Sequence, residues 1–111
     1  MTRAARLRRS SDIATLRRDG RSLKRAAFTA RLLRTDRLQT RLAVVAPRTV
    51  GGAVARNRAR RRVREAFRLA LTARGSAAGL DILVTARPEA VHTAFTVIRD
   101  DAANVLSLVT S

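Results

Sequence analysis

Apolar residues recur at helical spacing in three stretches of the chain, near residues 11–19, over 53–73 and from residue 88 to the end. In the second stretch, small and apolar side chains fall within an arc of about 120° when successive residues are placed about 100° apart. They are Ala55, Ala59, Val63, Ala66, Phe67 and Ala70. In the last stretch the spacing follows Pro88, which suits a first helical position, and continues to Val109. These patterns predict three helices, the second of which could lie close to a sheet.

The first predicted helix is the shortest, and typical start and stop residues flank it. Ile13 and Leu16 lie three positions apart, as one face of a helix requires. Ser10 and Ser11 are candidate N-caps, and Gly20 is a plausible stop. These signals place the helix near residues 11–19.

Three shorter apolar stretches predict β-strands. Residues 26–34 partly alternate, residues 41–46 are a compact apolar run that Pro47 ends, and residues 80–86 are nearly all apolar. The last is the expected central strand, because a strand buried on both faces is apolar throughout. The element order α-β-β-α-β-α predicts an α+β fold, an α/β sandwich in which helices cover one face of a small sheet.

The chain has 111 residues, which predicts a single domain over residues 1–111. Residues 1–9 are basic and show no periodicity, so we expect a flexible basic arm; a mitochondrial-type presequence is a weaker interpretation.

The absence of cysteine excludes a disulfide framework, a cysteine nucleophile and thiolate zinc sites. The apolar runs are too short to span a bilayer, and no secretory signal is evident. We therefore expect a cytoplasmic protein.

No catalytic or metal-binding set is evident in the sequence. His92 is the only histidine, which excludes a His-based triad or a His cluster. Adjacent carboxylates at Asp100 and Asp101 would point about 100° apart on a helix, so they would not converge on one metal ion. We expect no catalytic residue, no metal ligand and no tightly bound cofactor in this chain.

The net charge of +16 is distributed unevenly along the chain. Residues 1–75 carry 22 of the 24 basic residues and four of the eight acidic residues, a net charge of +18, whereas residues 76–111 have a net charge of −2. A folded domain with one strongly positive part typically binds a polyanion. Nucleic acid is the first candidate, and an anionic membrane surface is the second.

The greatest density of positive charge lies in the second predicted helix. Its basic and polar residues spread over about 200° opposite the apolar arc. They are Asn57, Arg58, Arg60, Arg61, Arg62, Arg64 and Arg68. Like charges on one short helix repel by about a few tenths of a kcal/mol per adjacent pair, and Glu65 is the only acid among them. Such a face indicates a surface that phosphates neutralise.

Residues 41–68 read RLAVVAPRTVGGAVARNRARRRVREAFR and resemble the signature region of the bacterial ribonuclease P protein family. The residues that carry the resemblance are Arg48, Gly51, Ala53, Val54, Arg56, Asn57, Arg58, Arg60, Arg61, Arg64, Ala66 and Phe67. The similarity extends to residues 6–22 and 80–90 and covers about residues 6–108. It implies the family's fold, an α/β sandwich with a left-handed βαβ crossover, which agrees with the predicted element order.

The resemblance implies the protein subunit of ribonuclease P, which binds a catalytic RNA and the 5′ leader of precursor tRNA and promotes endonucleolytic 5′ maturation of tRNA. In the family, the RNA subunit and its Mg²⁺ ions perform the cleavage, and neither a membrane nor a protein oligomer is required. The implied RNA contacts are Arg48, Arg56, Asn57, Arg58, Arg60, Arg61, Arg64 and Arg68. The implied leader cleft includes Ile13, Arg17, Phe28 and Arg31. The family usually has aromatic residues in this cleft, and Phe28 fits the core equally well.

Three other classes of protein are compatible with the charge. A general RNA-binding or ribosomal protein explains the charge but not the spacing within residues 41–68. A DNA-binding protein that inserts a helix into the major groove would be expected to have a short helix–turn–helix before the basic helix. A membrane-surface helix would have a larger face of Trp, Phe and Leu side chains.

Overall fold

The computed structural model describes residues 5–75 and 79–110, which form five strands, three α-helices and two short 3₁₀ segments. In chain order these are β1 (Ala5–Arg6), α1 (Ser10–Asp19), β2 (Arg21–Lys24), β3 (Phe28–Arg34), β4 (Arg41–Val45), a 3₁₀ turn (Arg48–Val50), α2 (Ala53–Arg74), β5 (Leu80–Ala86), a second 3₁₀ turn (Pro88–Val91) and α3 (Phe95–Thr110). The predicted three helices and three main strands are present. Within the described residues, no helix has both the length and the apolar character needed to cross a membrane.

The strands form one mixed sheet in the order β1-β4-β5-β3-β2. Strand β5 is central, as its apolar sequence predicts, and six of its seven residues are buried. It pairs antiparallel with β3 from Phe28 opposite Ala86 to Arg34 opposite Leu80, and parallel with β4. Helix α2 connects β4 to β5, so the βαβ crossover joins two neighbouring parallel strands.

The main core lies between the sheet and the pair α2 and α3. Phe28 of β3 and Phe67 of α2 are fully buried there, with ring centroids 5.1 Å apart in an edge-to-face arrangement. Phe95, at the start of α3, packs against the same core. Small side chains such as Ala59 and Ala66 are also fully buried, which lets α2 approach the strands closely.

Helix α1 covers the opposite face of the sheet, so the prediction that helices cover only one face is wrong. Leu16 is fully buried in a second apolar cluster with Leu7 and Leu83, and Ile13 packs against this cluster. Alternation in the strands explains this, since every second residue of a strand points away from α2 and α3. The helix ends at Gly20, where a Cβ would lie 2.5 Å from the Leu16 carbonyl oxygen.

The N-terminal segment is more ordered than the predicted flexible arm over residues 1–9. Ala5 donates its N–H to the Thr40 carbonyl, and Leu7 donates to the Leu42 carbonyl, each at 3.0 Å. Leu7 is 3% exposed. The prediction of a flexible arm is therefore wrong for residues 5–7, while residues 1–4 lie outside the described residues. A two-residue strand carries no period that a sequence pattern could show.

Three further local features differ from the prediction. Strand β2 is short and polar, and its pairing with β3 rather than its own pattern defines it. After Pro88 the chain makes a 3₁₀ turn, and α3 begins only at Phe95. Neither Ser10 nor Ser11 caps α1; the N-cap position is Arg9, without a side-chain cap.

An ion network with low solvent exposure joins α1 to the sheet. Arg41 of β4 donates Nη2 to Asp81 Oδ2 at 2.6 Å and Nε to Asp81 Oδ1 at 2.9 Å, and its Nη1 bonds Asp12 Oδ2 of α1 at 3.0 Å. The hydrogen bond to Asp81 is the main influence that raises the pKa of Arg41, so this side chain stays charged. The network fixes the position of α1 over the sheet.

Candidate nucleic-acid interface

The exposed face of α2 presents an open groove of about 470 Å³ with basic and polar walls. Its lining residues are Val54, Asn57, Arg60, Arg61 and Arg64. Four of these five are among the predicted RNA contacts, and the fold places them side by side. Arginine side chains donate in a planar fork that matches phosphate oxygens, so this groove suits an RNA backbone.

The loop before α2 sets the direction in which this groove faces. Pro47 ends β4, and the Arg48–Val50 turn buries Val50 in the core. Gly51 then adopts φ 138°, a conformation that residues with a Cβ rarely adopt, and α2 starts two residues later. The side chain of Arg48, a predicted RNA contact, is exposed at this end of the sheet.

Three arginines of α2 bond to backbone carbonyls of the protein. Arg56 Nε donates to the Ala46 carbonyl and Arg58 Nε to the Val91 carbonyl, each at 3.2 Å. Arg62 donates Nη1 to the carbonyls of Ala90 and Thr93 at 2.8 and 2.7 Å. Burial, and then the charge of Arg58, lowers the pKa of Arg62. Arg56 and Arg58 were predicted as RNA contacts, and these bonds use part of their donor capacity within the fold.

The basic face of α2 extends onto β1 through Arg6. Burial lowers the pKa of Arg64, followed by the charges of Arg6 and Arg60. Arg6 therefore lies near the groove, although no sequence pattern indicated it. The pairing of β1 with β4 places it there, because Arg6 lies opposite Leu42, which packs against the α2 side of the sheet.

Two polar pairs on α2 limit the freedom of the remaining predicted contacts. Arg60 Nη2 donates to Asn57 Oδ1 one turn earlier. Arg68 forms an exposed ion pair with Glu65, with Nε 2.9 Å from Oε2. The hydrogen bond to Glu65 raises the pKa of Arg68. The positive charge of Arg68 is therefore already compensated, and the groove residues are the stronger candidates for phosphate contact.

On the face of the sheet that carries α1, a row of side chains beside the helix is partly or fully exposed. Four side chains in register form this row, from Lys24 to Thr29, then Thr85, then Val45. Arg31 lies one row closer to α1 and donates Nη1 to the carbonyl of Arg17 at 3.1 Å. We name this row of four, with Arg17 and Arg31, the trough.

The structure distributes the four predicted cleft residues over two faces. Arg17 is exposed and Arg31 half-buried at the trough, and Ile13 is half-buried beneath α1. Phe28 is not in the cleft: it is fully buried on the α2 side, because its neighbour Thr29 is the residue of β3 that faces the trough. A Phe at a strand start carries no signal of which face it joins.

The side chains that could act in acid–base catalysis or bind a metal ion are dispersed over the described residues. Among residues 5–75 and 79–110, no three His, Cys, Asp or Glu side chains cluster in a way that could hold a metal ion. His92 is exposed, after the second 3₁₀ turn. Predicted site residues lie together at the groove of α2 and at the trough.

Comparison with known proteins gives a family match over nearly the whole chain. The family model for ribonuclease P matches residues 1–109. The chain is 42% identical over 107 residues to the ribonuclease P protein component of Chloroflexus aurantiacus, and the match covers 96% of this chain and 78% of that protein.

Two solved structures share the fold. The RNase P protein of Thermotoga maritima superposes with a TM-score of 0.74 at 29% identity, covering 93% of this chain and 96% of that one. The RNase P protein of Staphylococcus aureus superposes with a TM-score of 0.76 at 24% identity, covering 96% and 95%, a likeness of fold. With a family match over nearly its full length and a relative of 42% identity, the chain belongs to the ribonuclease P protein family.

Proposed function

We propose that this chain is the subunit of ribonuclease P that binds the catalytic RNA along α2 and receives the 5′ leader of precursor tRNA in the trough. The observation that carries the proposal is the groove in which Asn57, Arg60, Arg61 and Arg64 stand together on one exposed helix face. Family membership supports the identity of the RNA partner. The division of α2 into arginines that bond backbone carbonyls and arginines that line the groove supports the choice of contacts.

In this mechanism the chain contributes charge and position. Arginines of the groove neutralise phosphates of the RNA, which would otherwise repel the phosphates of the substrate. Asn57 is able to hydrogen-bond a base or a sugar. The Mg²⁺ ions, held by the RNA, would supply the Lewis-acid chemistry of cleavage. The trough keeps the leader away from the tRNA body, so the scissile bond lies between two anchored regions.

Low magnesium provides the direct test of this function. A bacterial ribonuclease P RNA should cleave precursor tRNA poorly there, and equimolar protein should restore cleavage at the mature 5′ end. The RNA of Chloroflexus aurantiacus would be assayed alongside a second bacterial RNA, because the pairing of protein and RNA affects the result. Tight binding to both RNAs without restored cleavage would favour a general RNA-binding protein.

Salt dependence tests the groove residues separately. The Arg60→Ala, Arg64→Ala double variant is expected to reduce the slope of log affinity against log salt by about 1.4–1.8, because each phosphate contact contributes about 0.7–0.9. Fluorescence anisotropy of labelled RNA across a salt series measures this slope.

Arg99→Ala is the matched control, since Arg99 is exposed on α3 and pairs only loosely with Asp100 at 3.5 Å. It removes one positive charge that does not line the groove and lies on a different helix, so it should leave the slope unchanged. An unchanged slope in the double variant would remove the groove from the RNA interface.

A further inference from the structure

The trough has an unusual chemical composition for a surface that holds single-stranded RNA. Its floor offers two hydroxyls, Thr29 and Thr85, between the ammonium of Lys24 and the methyl groups of Val45. Val45 is 40% exposed, the two threonines are half-buried and Lys24 is exposed. Three inter-strand intervals of about 4.8 Å make this row about 14 Å long. The row is therefore open to a ligand of a few nucleotides.

No aromatic ring reaches the trough. The chain has no Trp or Tyr and only three Phe residues. Phe28 and Phe67 are fully buried, and Phe95 packs on the same α2 and α3 side. Stacking of bases on aromatic rings, which is worth about 5-fold or more in affinity per base, is therefore excluded on this face.

Positive charge and hydroxyls take the place of rings. Arg31 uses one N–H in its 3.1 Å bond to the Arg17 carbonyl, and this bond holds its guanidinium beside the end of α1. Arg17 and Lys24 are exposed. A guanidinium, an ammonium and a threonine hydroxyl all donate to phosphate oxygens, and a hydroxyl also accepts from a ribose 2′-OH.

We infer that the trough holds single-stranded RNA by its phosphates and riboses and does not depend on stacking of its bases. This inference rests on the proposed function, since it takes the leader of precursor tRNA as the strand in the trough. Leaders of different base sequence are therefore expected to bind with similar affinity, and this affinity is expected to fall steeply as the salt concentration rises.

The test uses the reconstituted holoenzyme and a precursor tRNA with a five-nucleotide leader in three forms. One leader is unmodified, one has abasic sites at the leader positions, and one has neutral methylphosphonate linkages at the same positions. The abasic leader should bind within about threefold of the unmodified leader, whereas the neutral linkages should weaken binding at least about tenfold. A tenfold or greater loss with the abasic leader would overturn the inference, and so would full affinity with the neutral linkages.

A leaderless precursor separates this inference from the proposed function. If the protein improves the affinity of the leader-containing and leaderless substrates equally, the leader does not occupy the trough and both proposals about it fail. If only the leader-containing substrate gains affinity, the three leaders decide between backbone and base contacts.

Variants of the trough locate the effect on this face. Lys24→Gln should reduce the difference in affinity between the normal and the methylphosphonate leader, while leaving the abasic leader equal to the normal one. Arg99→Gln on α3 is the matched control and should preserve the full difference. If the difference in affinity between the normal and the methylphosphonate leader were the same in Lys24→Gln as in Arg99→Gln, the phosphates would be bound elsewhere.

Discussion

Replacement of Arg41 with Met is expected to lower the free energy of unfolding by about 3–5 kcal/mol, because Asp81 would keep a buried carboxylate without its cation. The side chain of Asp81 is 7% exposed and that of Arg41 is 15% exposed, so water cannot replace the lost bonds. Asp12 would lose its partner as well, and α1 would lose its charged link to the sheet. Chemical denaturation followed by circular dichroism measures the change.

Two further variants show whether this cost comes from the unpaired charge. Arg41→Met combined with Asp81→Leu should recover much of the loss, since an apolar pair can replace a buried ion pair at little cost. Arg18→Met removes an exposed partner of Asp19 and should change the stability by less than about 1 kcal/mol. If Arg41→Met were as stable as Arg18→Met, the network would not be what holds α1.

Replacement of Phe28 with Ala is expected to cost about 3–5 kcal/mol of stability while leaving the intrinsic affinity for a leader unchanged. Phe28 fills the core against Phe67 and has no exposed surface. A domain of this size has about 5–15 kcal/mol of stability in total, so the milder Phe28→Leu would serve if the alanine variant did not fold. Denaturation gives the stability, and leader affinity is measured under conditions where the variant is folded.

The neighbouring residue is the matched control because it points to the other face. Thr29→Ala should change stability by less than about 1 kcal/mol, yet it should weaken binding of a precursor tRNA relative to a leaderless one. If a Phe28 variant lost affinity for the leader while keeping its full stability, Phe28 would be a residue of the leader cleft after all.

The sequence could predict the elements that have strong periods of their own. Helix α2 has six small or apolar residues on one arc, and β5 is nearly all apolar, so their type and the central place of β5 followed from local pattern. Strands β1 and β2 have no such period. Ala5–Arg6 is defined by its pairing with the distant strand β4, and Arg21–Lys24 by its pairing with β3, which follows it directly. The face on which α1 packs likewise depends on tertiary contacts.

The candidate site shows the same division. The run of arginines in α2 predicted a basic face, and Asn57, Arg60, Arg61 and Arg64 do line one groove. The sequence could not separate them from Arg62, whose guanidinium bonds two carbonyls of the second 3₁₀ turn and its following residues. Helical spacing alone cannot distinguish one outward-facing arginine from another. Only the contacts with the second 3₁₀ turn and the residues after it show which arginine bonds within the fold.

The end of β4 lies between the two candidate surfaces, because its adjacent residues face opposite sides of the sheet. Val45 lies on the floor of the trough, and the carbonyl of Ala46 accepts a bond from Arg56 of α2. The sheet and helix α2 thus lie between the two surfaces. A catalytic RNA bound along α2 and a leader bound in the trough would therefore be held at a fixed spacing. The thickness of the sheet and the helix would set this spacing, and with it the position of the cut.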